Sequence, residues 1–236
     1  TVSSNITQPV AALTATATPN AVSCFGGNNG TIGLTVAGGT PAYTYHWTTG
    51  ATIPNIANLI AGTYAVTVTD AKGCSVTSSS VITQPASALS LSTATTNVSC
   101  FGSNNGAIDL TVSGGTPTYT YNWTGAVTTQ DRTNLTGGNY QVTVTDSKGC
   151  SATTSATISQ PVAALLATAT ISNVNCFGNS TGSINLTISG GTTAYTYNWS
   201  DAVTTQNRTN LVAGTYTATV TDANGCSVTV SSAVTQ

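Results

Sequence analysis

The sequence predicts an all-β fold, a tandem array of three β-sandwich repeats of 76 residues with six or seven strands each. Two observations carry this prediction. Cysteine and tryptophan recur at a constant step of 76 residues, as in Cys24, Cys100 and Cys176, which marks an internal repeat. Within each repeat, apolar and polar residues alternate along short segments bounded by Gly, Asn and Pro. That alternation is the pattern of half-buried strands, and no segment carries helical signals.

A repeated glutamine marks the boundary of each repeat, and proline follows it at Gln8, Gln84 and Gln160. Gln8, Gln84, Gln160 and Gln236 keep the same step, so residues 9–84, 85–160 and 161–236 are predicted as repeats 1, 2 and 3. Residues 1–8, TVSSNITQ, match the end of repeat 3, TVSSAVTQ, and are predicted to be the tail strand of a preceding repeat. This match indicates a segment of a longer array.

The alternation also places the strands within repeat 1. Apolar side chains occupy every second position of Thr31–Ala37 and of the strand that ends at Asp70. The segment Ala51–Leu59 fits either one strand or two short ones. The predicted strands of repeat 1 are Leu13–Thr18, Thr31–Ala37, Tyr43–Trp47, one or two within Ala51–Leu59, Tyr64–Asp70 and Ser75–Thr83.

The repeated aromatic residues are predicted to form the core. Tyr45 and Trp47 share one face of a strand, and the segment Leu59–Tyr64 resembles a tyrosine corner, in which the hydroxyl bonds to upstream backbone. An exposed Tyr45 or Trp47 would instead provide a stacking surface for sugars, which is the alternative interpretation. The predicted core residues are Tyr45, Trp47, Tyr64, Tyr121, Trp123, Tyr140, Tyr197, Trp199 and Tyr216.

The repeated Asp-x-x-Gly segments predict hairpin turns rather than catalytic sites. Aspartate accepts backbone N–H bonds in such turns and glycine takes the left-handed conformation. No second carboxylate lies nearby in sequence, and the single histidine, His46, is replaced by Asn122 and Asn198 in the other repeats. We therefore expect no catalytic residues and no enzyme. The predicted turn residues are Asp70, Gly73, Asp146, Gly149, Asp222 and Gly225.

The composition points to the cell exterior. Charged residues make up 4% of the chain, against roughly 25% in ordinary soluble proteins. Four Lys and Arg in total form no basic patch, which argues against nucleic-acid partners, and the lack of a long apolar run predicts no membrane insertion. The loops Phe25–Gly30, Phe101–Gly106 and Phe177–Gly182 contain no carboxylate, so we expect no metal and no cofactor.

The six cysteines predict disulfides in an oxidising compartment, because their number is even and their spacing fixed. Two pairings remain open. If Ala51–Leu59 is one strand, four strands separate Cys24 from Cys74 and both cysteines lie at one end of the sandwich. If it is two strands, five strands separate the cysteines and they lie at opposite ends, which would let Cys24 meet Cys150 of the next repeat. We favour bridges within each repeat, namely Cys24–Cys74, Cys100–Cys150 and Cys176–Cys226.

The joint pattern V-S-C-F-G, G-G-T-P-A-Y-T-Y-H-W and L-I-A-G-T-Y-A-V-T-V-T-D-A-K-G-C resembles the SprB repeat, and the resemblance covers nearly every residue of each period. That family occurs in large surface adhesins of gliding Bacteroidota. The resemblance implies an Ig-like sandwich module, export by the type IX secretion route, and a location outside the cell or on its surface. It does not identify a ligand.

Three functions are consistent with such an array. The leading hypothesis is an extracellular structural and adhesive stalk that acts by projection and by many weak contacts. The alternatives are a self-assembling filament or sheath component and a carbohydrate-binding accessory module. The expected partners are neighbouring repeats of the same chain, and the further candidates are identical chains in a fibre and a surface polysaccharide.

Overall fold

The computed structural model describes residues 8–236, so the predicted tail strand at 1–8 lies, apart from Gln8, outside the described residues. Within that range every regular element is a β-strand, which confirms the all-β prediction. No helix in the described chain is long and apolar enough to cross a membrane. The strands are β1 Thr14–Asn20, β2 Gly30–Ala37, β3 Thr44–Trp47, β4 Ile56–Leu59, β5 Gly62–Thr69, β6 Ser75–Ile82, β7 Ser90–Thr96, β8 Gly106–Ser113, β9 Tyr119–Trp123, β10 Arg132–Leu135, β11 Gly138–Asp146, β12 Ser151–Ile158, β13 Leu166–Ser172, β14 Gly182–Ser189, β15 Thr196–Trp199, β16 Arg208–Leu211, β17 Gly214–Thr221 and β18 Ser227–Val234.

Each repeat contributes six strands in two three-stranded sheets, the smaller of the two predicted numbers. In repeat 1 the sheets have the orders β1-β2-β4 and β3-β5-β6; repeat 2 forms β7-β8-β10 and β9-β11-β12, and repeat 3 forms β13-β14-β16 and β15-β17-β18. The pairings recorded in repeats 1 and 3 are antiparallel. This arrangement is an Ig-like β-sandwich repeated three times.

The chain divides into two compact units. The first comprises Thr1–Leu91, Val112–Asn122 and Thr143–Thr153, and the second comprises Ser92–Thr111, Trp123–Val142 and Thr154–Gln236. Repeat 1 lies within the first unit, repeat 3 lies within the second, and the strands of repeat 2 are shared between them. The repeat boundaries at 84 and 160 therefore remain a prediction from the sequence period.

The core of repeat 1 lies between its two sheets. Ile32 of β2, Trp47 of β3 and Val68 of β5 are each at most 1% exposed, and together with Ile82 they form one apolar cluster. Tyr45 and Tyr64 are half-buried against this cluster. The period-two alternation of the sequence thus places the apolar side chains where the two sheets meet.

The core of repeat 3 has the same construction. Trp199, Ile184 and Val220 are 0–2% exposed and cluster with Ala218, while Tyr197 and Tyr216 pack at the edge. The tyrosine corner is present in all three repeats. The hydroxyl of Tyr64 donates to the Ile60 carbonyl at 3.0 Å, and the equivalent bonds join Tyr140 to Thr136 and Tyr216 to Val212.

The segment 48–55 reverses the chain without forming a strand. A turn follows β3, closed by the hydrogen bond from Trp47 N to Ala51 O, and the next strand begins only at Ile56. The strand β5 follows β4 after a connection of two residues and runs back in the opposite direction. Since β3 is antiparallel to β5, the strands β3 and β4 run in the same direction. The chain therefore crosses the sandwich once more than its strands indicate.

A bulge occurs where β4 pairs with β2. The register shifts between Ile56 and Leu59, and Asn58 has a φ of 57°, a left-handed conformation that asparagine tolerates better than most residues. The Asn55 side chain restores one bond of the ladder, because its Oδ1 accepts the N–H of Leu34 at 3.0 Å. The same asparagine occupies the bulge in the other repeats, as Asn134 and Asn210.

Candidate functional site

The two cysteines of repeat 1 lie at opposite ends of its sandwich. The Cys24 loop lies beside the end of β6, since Val22 N donates to Thr83 O at 2.9 Å and Gly26 N donates to the Gln84 side chain at 2.8 Å. Cys74 immediately precedes the first residue of β6. Eight strand residues of roughly 3.3 Å each separate the two ends by about 25 Å, whereas a disulfide requires Cα atoms within about 7 Å.

The structure joins cysteines of consecutive repeats, so the favoured pairing within each repeat is wrong. Cys24 bonds to Cys150 and Cys100 bonds to Cys226, each with a Cα–Cα distance of 5.7 Å and a sequence separation of 126 residues. The bridges Cys24–Cys74, Cys100–Cys150 and Cys176–Cys226 do not form, because in each repeat a segment outside the strands crosses the sandwich and puts the two cysteines at opposite ends. This segment is 48–55 in repeat 1, 124–131 in repeat 2 and 200–207 in repeat 3. Cys74 and Cys176 are free and exposed.

A buried aspartate presents the second cysteine of each bridge. In repeat 2 the Asp146 carboxylate accepts hydrogen bonds from the backbone N–H of Cys150 and Lys148 at 2.9 Å and of Thr116 at 2.8 Å. Gly149 completes the predicted turn at a φ of 83°. Asp70 and Asp222 make the equivalent three bonds in the other repeats. The predicted turn residues of repeats 2 and 3 therefore position Cys150 and Cys226 for the disulfides between repeats.

These hydrogen bonds lower the pKa of all three aspartates. The Thr40 N–H is the largest influence on the pKa of Asp70 and lowers it, while burial opposes the shift. For Asp146 and Asp222, burial acts to raise the pKa, but the backbone hydrogen bonds together outweigh it. The charged form of each turn aspartate is thus the form that the fold stabilises.

A phenylalanine and a leucine flank each disulfide. Phe25, next to Cys24, borders a cavity of about 330 Å³ together with Leu89 and Gly115 of repeat 2 and the bonded Cys150. Phe101 and Leu165 line the equivalent cavity of about 220 Å³ at the second bridge. Gly115 has no room for a side chain, since an added Cβ would lie 2.7 Å from the Asp146 carboxylate. Each junction therefore combines a covalent bond with a cavity that a phenylalanine and a leucine line.

Polar contacts accompany each bridge. The Cys150 Sγ lies 3.3 Å from the backbone oxygen of Ser23, and the Cys226 Sγ lies 3.4 Å from that of Ser99. At the second junction the Asn224 side chain also donates to Ser99 O at 3.1 Å. Repeats 1 and 2 carry Lys72 and Lys148 in place of this asparagine, so this extra hydrogen bond is specific to repeat 3.

The repeated glutamine has a function that the sequence did not reveal. The side chain of Gln84 accepts a hydrogen bond from Gly26 N, and that of Gln160 accepts one from Gly102 N at 3.2 Å. Each glutamine therefore ties the end of its sandwich to the loop that carries the bridging cysteine. The constant Gln-Pro spacing was a signal for a boundary, but the partner loop became visible only in three dimensions.

The aromatic rows offer little surface for a sugar. Trp47, Trp123 and Trp199 are at most 2% exposed, and their indole N–H groups donate to the carbonyls of Ile53, Thr129 and Thr205 at 2.8–2.9 Å. The tyrosines of the predicted core are half-buried. Stacking of a saccharide on the tryptophans is excluded by this burial, which removes the main support for a carbohydrate-binding module.

The described residues form no cluster of metal ligands. His46 is exposed, and no group of three His, Cys, Asp or Glu residues within 8–236 is placed to hold a metal ion. The one recorded ion pair of the described residues joins Arg208 to Asp201 at 2.6 Å, and Arg208 also lies over Trp199, 5.3 Å from the ring centroid.

Comparison with protein families agrees with this geometry. The family model described as "SprB repeat" matches residues 16–52, 92–128 and 168–204, one match in each repeat and 76 residues apart. The chain contains three SprB repeats. Each SprB match begins in the first strand and ends beyond the buried tryptophan. The family context makes the chain an extracellular, adhesin-like repeat region, with the association to gliding motility and type IX secretion that this family carries.

Comparison with solved structures finds matches of low sequence identity. A bacterial ice-binding adhesin of 1.5 MDa is 16% identical, with a TM-score of 0.42 and coverage of 95% of this chain and 98% of that chain. Extracellular domains 3–5 of Drosophila OTK are 14% identical, with a TM-score of 0.33 and coverage of 93% and 92%. A tetra-tandem repeat from the extending region of a large adhesion protein is 14% identical, with a TM-score of 0.24 and coverage of 94% and 74%. No curated protein matches the sequence.

Proposed function

We propose that this SprB-repeat chain is a segment of an extracellular adhesive stalk whose consecutive repeats are held together covalently. The observation that carries the proposal is the pair of disulfides between repeats, Cys24–Cys150 and Cys100–Cys226. A bridge within a repeat would protect one sandwich, whereas a bridge between repeats protects the connection. Such a bridge also limits how far the chain can lengthen when tension unfolds its sandwiches.

The two bridges overlap along the sequence. The segment from Cys100 to Cys150 lies inside both disulfide-closed loops, so both bridges restrain repeat 2. The shortest covalent path from Gln8 to Gln236 crosses both disulfides and contains only about a third of the residues, each of which extends to roughly 3.5 Å. A stapled chain therefore lengthens far less than a reduced chain when its sandwiches unfold.

Single-molecule pulling of the intact chain from its two ends tests this mechanism. We expect the fully extended length without reductant to be about one third of the length after reduction, from the path lengths and the reach of an extended residue. The double substitution Cys24→Ser and Cys150→Ser should give an intermediate length, about 45% of the length of the reduced chain. Equal lengths in oxidised and reduced chains would overturn the proposal.

The same double substitution at the free cysteines provides the matched control. Cys74→Ser with Cys176→Ser removes two thiols that take part in no bridge of the chain, so the extended length should equal that of the unmodified protein. This control separates an effect of the staples from an effect of removing cysteine as such.

Adhesion by the stalk would come from copy number. The described surface is rich in Thr, Ser and Asn, and charged residues make up 4% of the chain, so individual contacts with a neutral surface polysaccharide are weak hydrogen bonds and small apolar contacts. We expect the soluble chain to be washed from agarose beads, whereas latex particles coated densely with the same chain adhere to agarose. Equal retention of the soluble chain would contradict an avidity mechanism.

A further inference from the structure

Repeats 2 and 3 each hold an arginine against two aromatic rings, an arrangement that we call the arginine clamp. The guanidinium carbon of Arg132 lies 5.7 Å from the ring centroids of both Trp123 and Tyr140. The equivalent Arg208 lies 5.3 Å from the centroid of Trp199 and also lies over a tyrosine ring. A cation is attracted to the face of an aromatic ring, so the rings hold both guanidinium groups in the same place in their repeats.

The clamp of repeat 3 holds a carboxylate. Nη1 and Nη2 of Arg208 donate to the two carboxylate oxygens of Asp201 at 2.8 and 2.6 Å, which is the bidentate geometry that matches these two planar groups. The Arg208 hydrogen bond is the largest influence on the pKa of Asp201 and lowers it, so the clamp favours the charged carboxylate. Repeat 3 therefore shows which chemical group the clamp accepts.

The clamp of repeat 2 lacks this carboxylate. Gly125 stands where repeat 3 has Asp201, and a Cβ added to Gly125 would meet no other part of the protein within 4 Å. The Nη1 atom of Arg132 is buried and has no hydrogen-bond partner within residues 8–236, which the structure describes. A buried charged donor without an acceptor is costly. The place from which Asp201 reaches its arginine is thus open in repeat 2, and the arginine there lacks a partner.

We propose that the arginine clamp of repeat 2 binds the carboxylate of a uronate unit in an acidic polysaccharide. The ligand carboxylate takes the place that Asp201 has in repeat 3, and Arg132 donates to it from both terminal nitrogens. The Asp201 side chain is 44% exposed in its pair, so the site covers a carboxylate and leaves the group that bears it in solvent. Thr124, on the same turn as Gly125, is exposed and offers a hydroxyl beside it. This inference goes beyond the stalk and does not depend on the disulfides.

A polymer with regularly spaced carboxylates suits so small a site. A partly exposed ion pair contributes about 1 kcal/mol or less, so a ligand with a single carboxylate is bound weakly. A polyuronate carries a carboxylate on each sugar unit, which keeps an acceptor close to Arg132 whenever one dissociates. An acidic protein would rely on a basic patch, which the four Lys and Arg of the chain do not form. A sugar chain also presents hydroxyls to a surface rich in Thr and Ser.

The three tryptophans allow each repeat to be followed separately. In the ¹⁵N-labelled chain the indole N–H signals of Trp47, Trp123 and Trp199 report on repeats 1, 2 and 3. On titration with tetragalacturonate at constant ionic strength, we expect the Trp123 signal to shift to saturation. The Trp199 signal should stay in place because Asp201 already occupies its arginine, and the Trp47 signal because Ile56 replaces the arginine. The fully methyl-esterified sugar, which has no charge, should shift none of the three.

Substitutions at the two clamps separate the site from a general attraction of charge. Asp201→Gly, which copies repeat 2, should open the clamp of repeat 3, so that the Trp199 signal shifts as well and the chain binds at two sites instead of one. Arg132→Lys keeps the charge without the planar fork and should weaken binding roughly fivefold. Arg208→Lys is the matched control, because its clamp is already filled, and should leave binding at repeat 2 unchanged.

Three results would overturn the proposal. One is a Trp123 signal that does not move at the highest sugar concentration. Another is an equal shift of the Trp199 signal in the unmodified chain, which would indicate unspecific binding. The last is an oligo-aspartate of equal charge that binds as tightly as the sugar or more tightly, because the site would then suit an acidic protein. None of these results affects the pulling experiment on the disulfides, so the two proposals fail separately.

Discussion

The carboxylate of Asp146 accepts a hydrogen bond from the backbone N–H of Cys150 at 2.9 Å, and Cys150 is the residue that bonds to Cys24 of the preceding repeat. The same carboxylate also accepts the N–H of Thr116, so it connects the hairpin that carries the cysteine to a neighbouring loop. One buried charge thereby fixes the geometry of a covalent connection between repeats. Asp222 does the same for Cys226.

Stability should fall in acid because these carboxylates are needed in the charged form. A group whose pKa is lower in the folded than in the unfolded state stabilises the fold above its unfolded pKa, about 3.9 for Asp. The lowered pKa values of Asp70, Asp146 and Asp222 therefore predict a melting temperature that is level from about pH 7 to pH 5 and falls below about pH 4. Calorimetry across this range measures it.

Asp146→Asn tests the assignment of this acid dependence. The amide presents an N–H where the charged oxygen accepted a bond, so the variant should melt at a lower temperature at pH 7 and lose less stability on acidification. Asp109→Asn, at an exposed position, is the matched control and should leave both quantities unchanged. An identical acid profile in Asp146→Asn would contradict the prediction.

Removing a buried tryptophan should cost more than any surface change. Trp123 is 1% exposed and its indole N–H donates to Thr129 O at 2.9 Å. Trp123→Ala should lower the free energy of unfolding by about 3–5 kcal/mol, as measured by urea denaturation. Phe177→Ala, at an 88% exposed position, should change it by less than about 0.5 kcal/mol. Similar costs for the two variants would mean that Trp123 is not a core residue.

The bulge asparagine should tolerate glycine but not a branched side chain. Asn134 has a φ of 55°, which is accessible to glycine and strained for a β-branched residue. We expect Asn134→Val to cost about 1–3 kcal/mol and Asn134→Gly to remain close to the unmodified protein in chemical denaturation. A valine variant as stable as the glycine variant would show that the bulge relaxes without cost.

The strand pattern, the buried tryptophans and the tyrosine corner were all predictable from the sequence, because they depend on contacts with a local signature. The alternation along Thr31–Ala37 shows which side chains face inwards, and the spacing from Leu59 to Tyr64 shows which hydroxyl turns back. Both features repeat three times, which strengthens the signal.

The sequence left two disulfide pairings open, and the structure has the one that was not favoured. The choice was not predictable, because it depends on the direction of the chain and not on local pattern. The segment Ala51–Leu59 reads as one or two strands, and the structure contains one strand plus a reversal at 48–55 that makes no ladder. Counting strands therefore placed Cys74 at the wrong end of the sandwich of repeat 1. Gln84 escaped notice for a related reason, since its partner Gly26 is 58 residues away.

Loss of a bridge between repeats should destabilise the chain. In the chain-entropy model, closing a loop of 126 residues as Cys24–Cys150 does contributes roughly 5 kcal/mol. The double variant Cys24→Ser with Cys150→Ser should therefore unfold at clearly lower urea concentration, whereas Cys74→Ser with Cys176→Ser should unfold with the unmodified chain. Equal midpoints for the two double variants would contradict this prediction.

The connectivity of the cysteines is the central claim, and peptide mapping under non-reducing conditions tests it most directly. Free thiols are first blocked with iodoacetamide, the protein is digested, and linked peptides are identified by mass spectrometry. We expect linked pairs Cys24–Cys150 and Cys100–Cys226, with alkylated Cys74 and Cys176 in the monomer fraction. Recovery of a Cys24–Cys74 or Cys100–Cys150 pair would contradict the account of a stapled array.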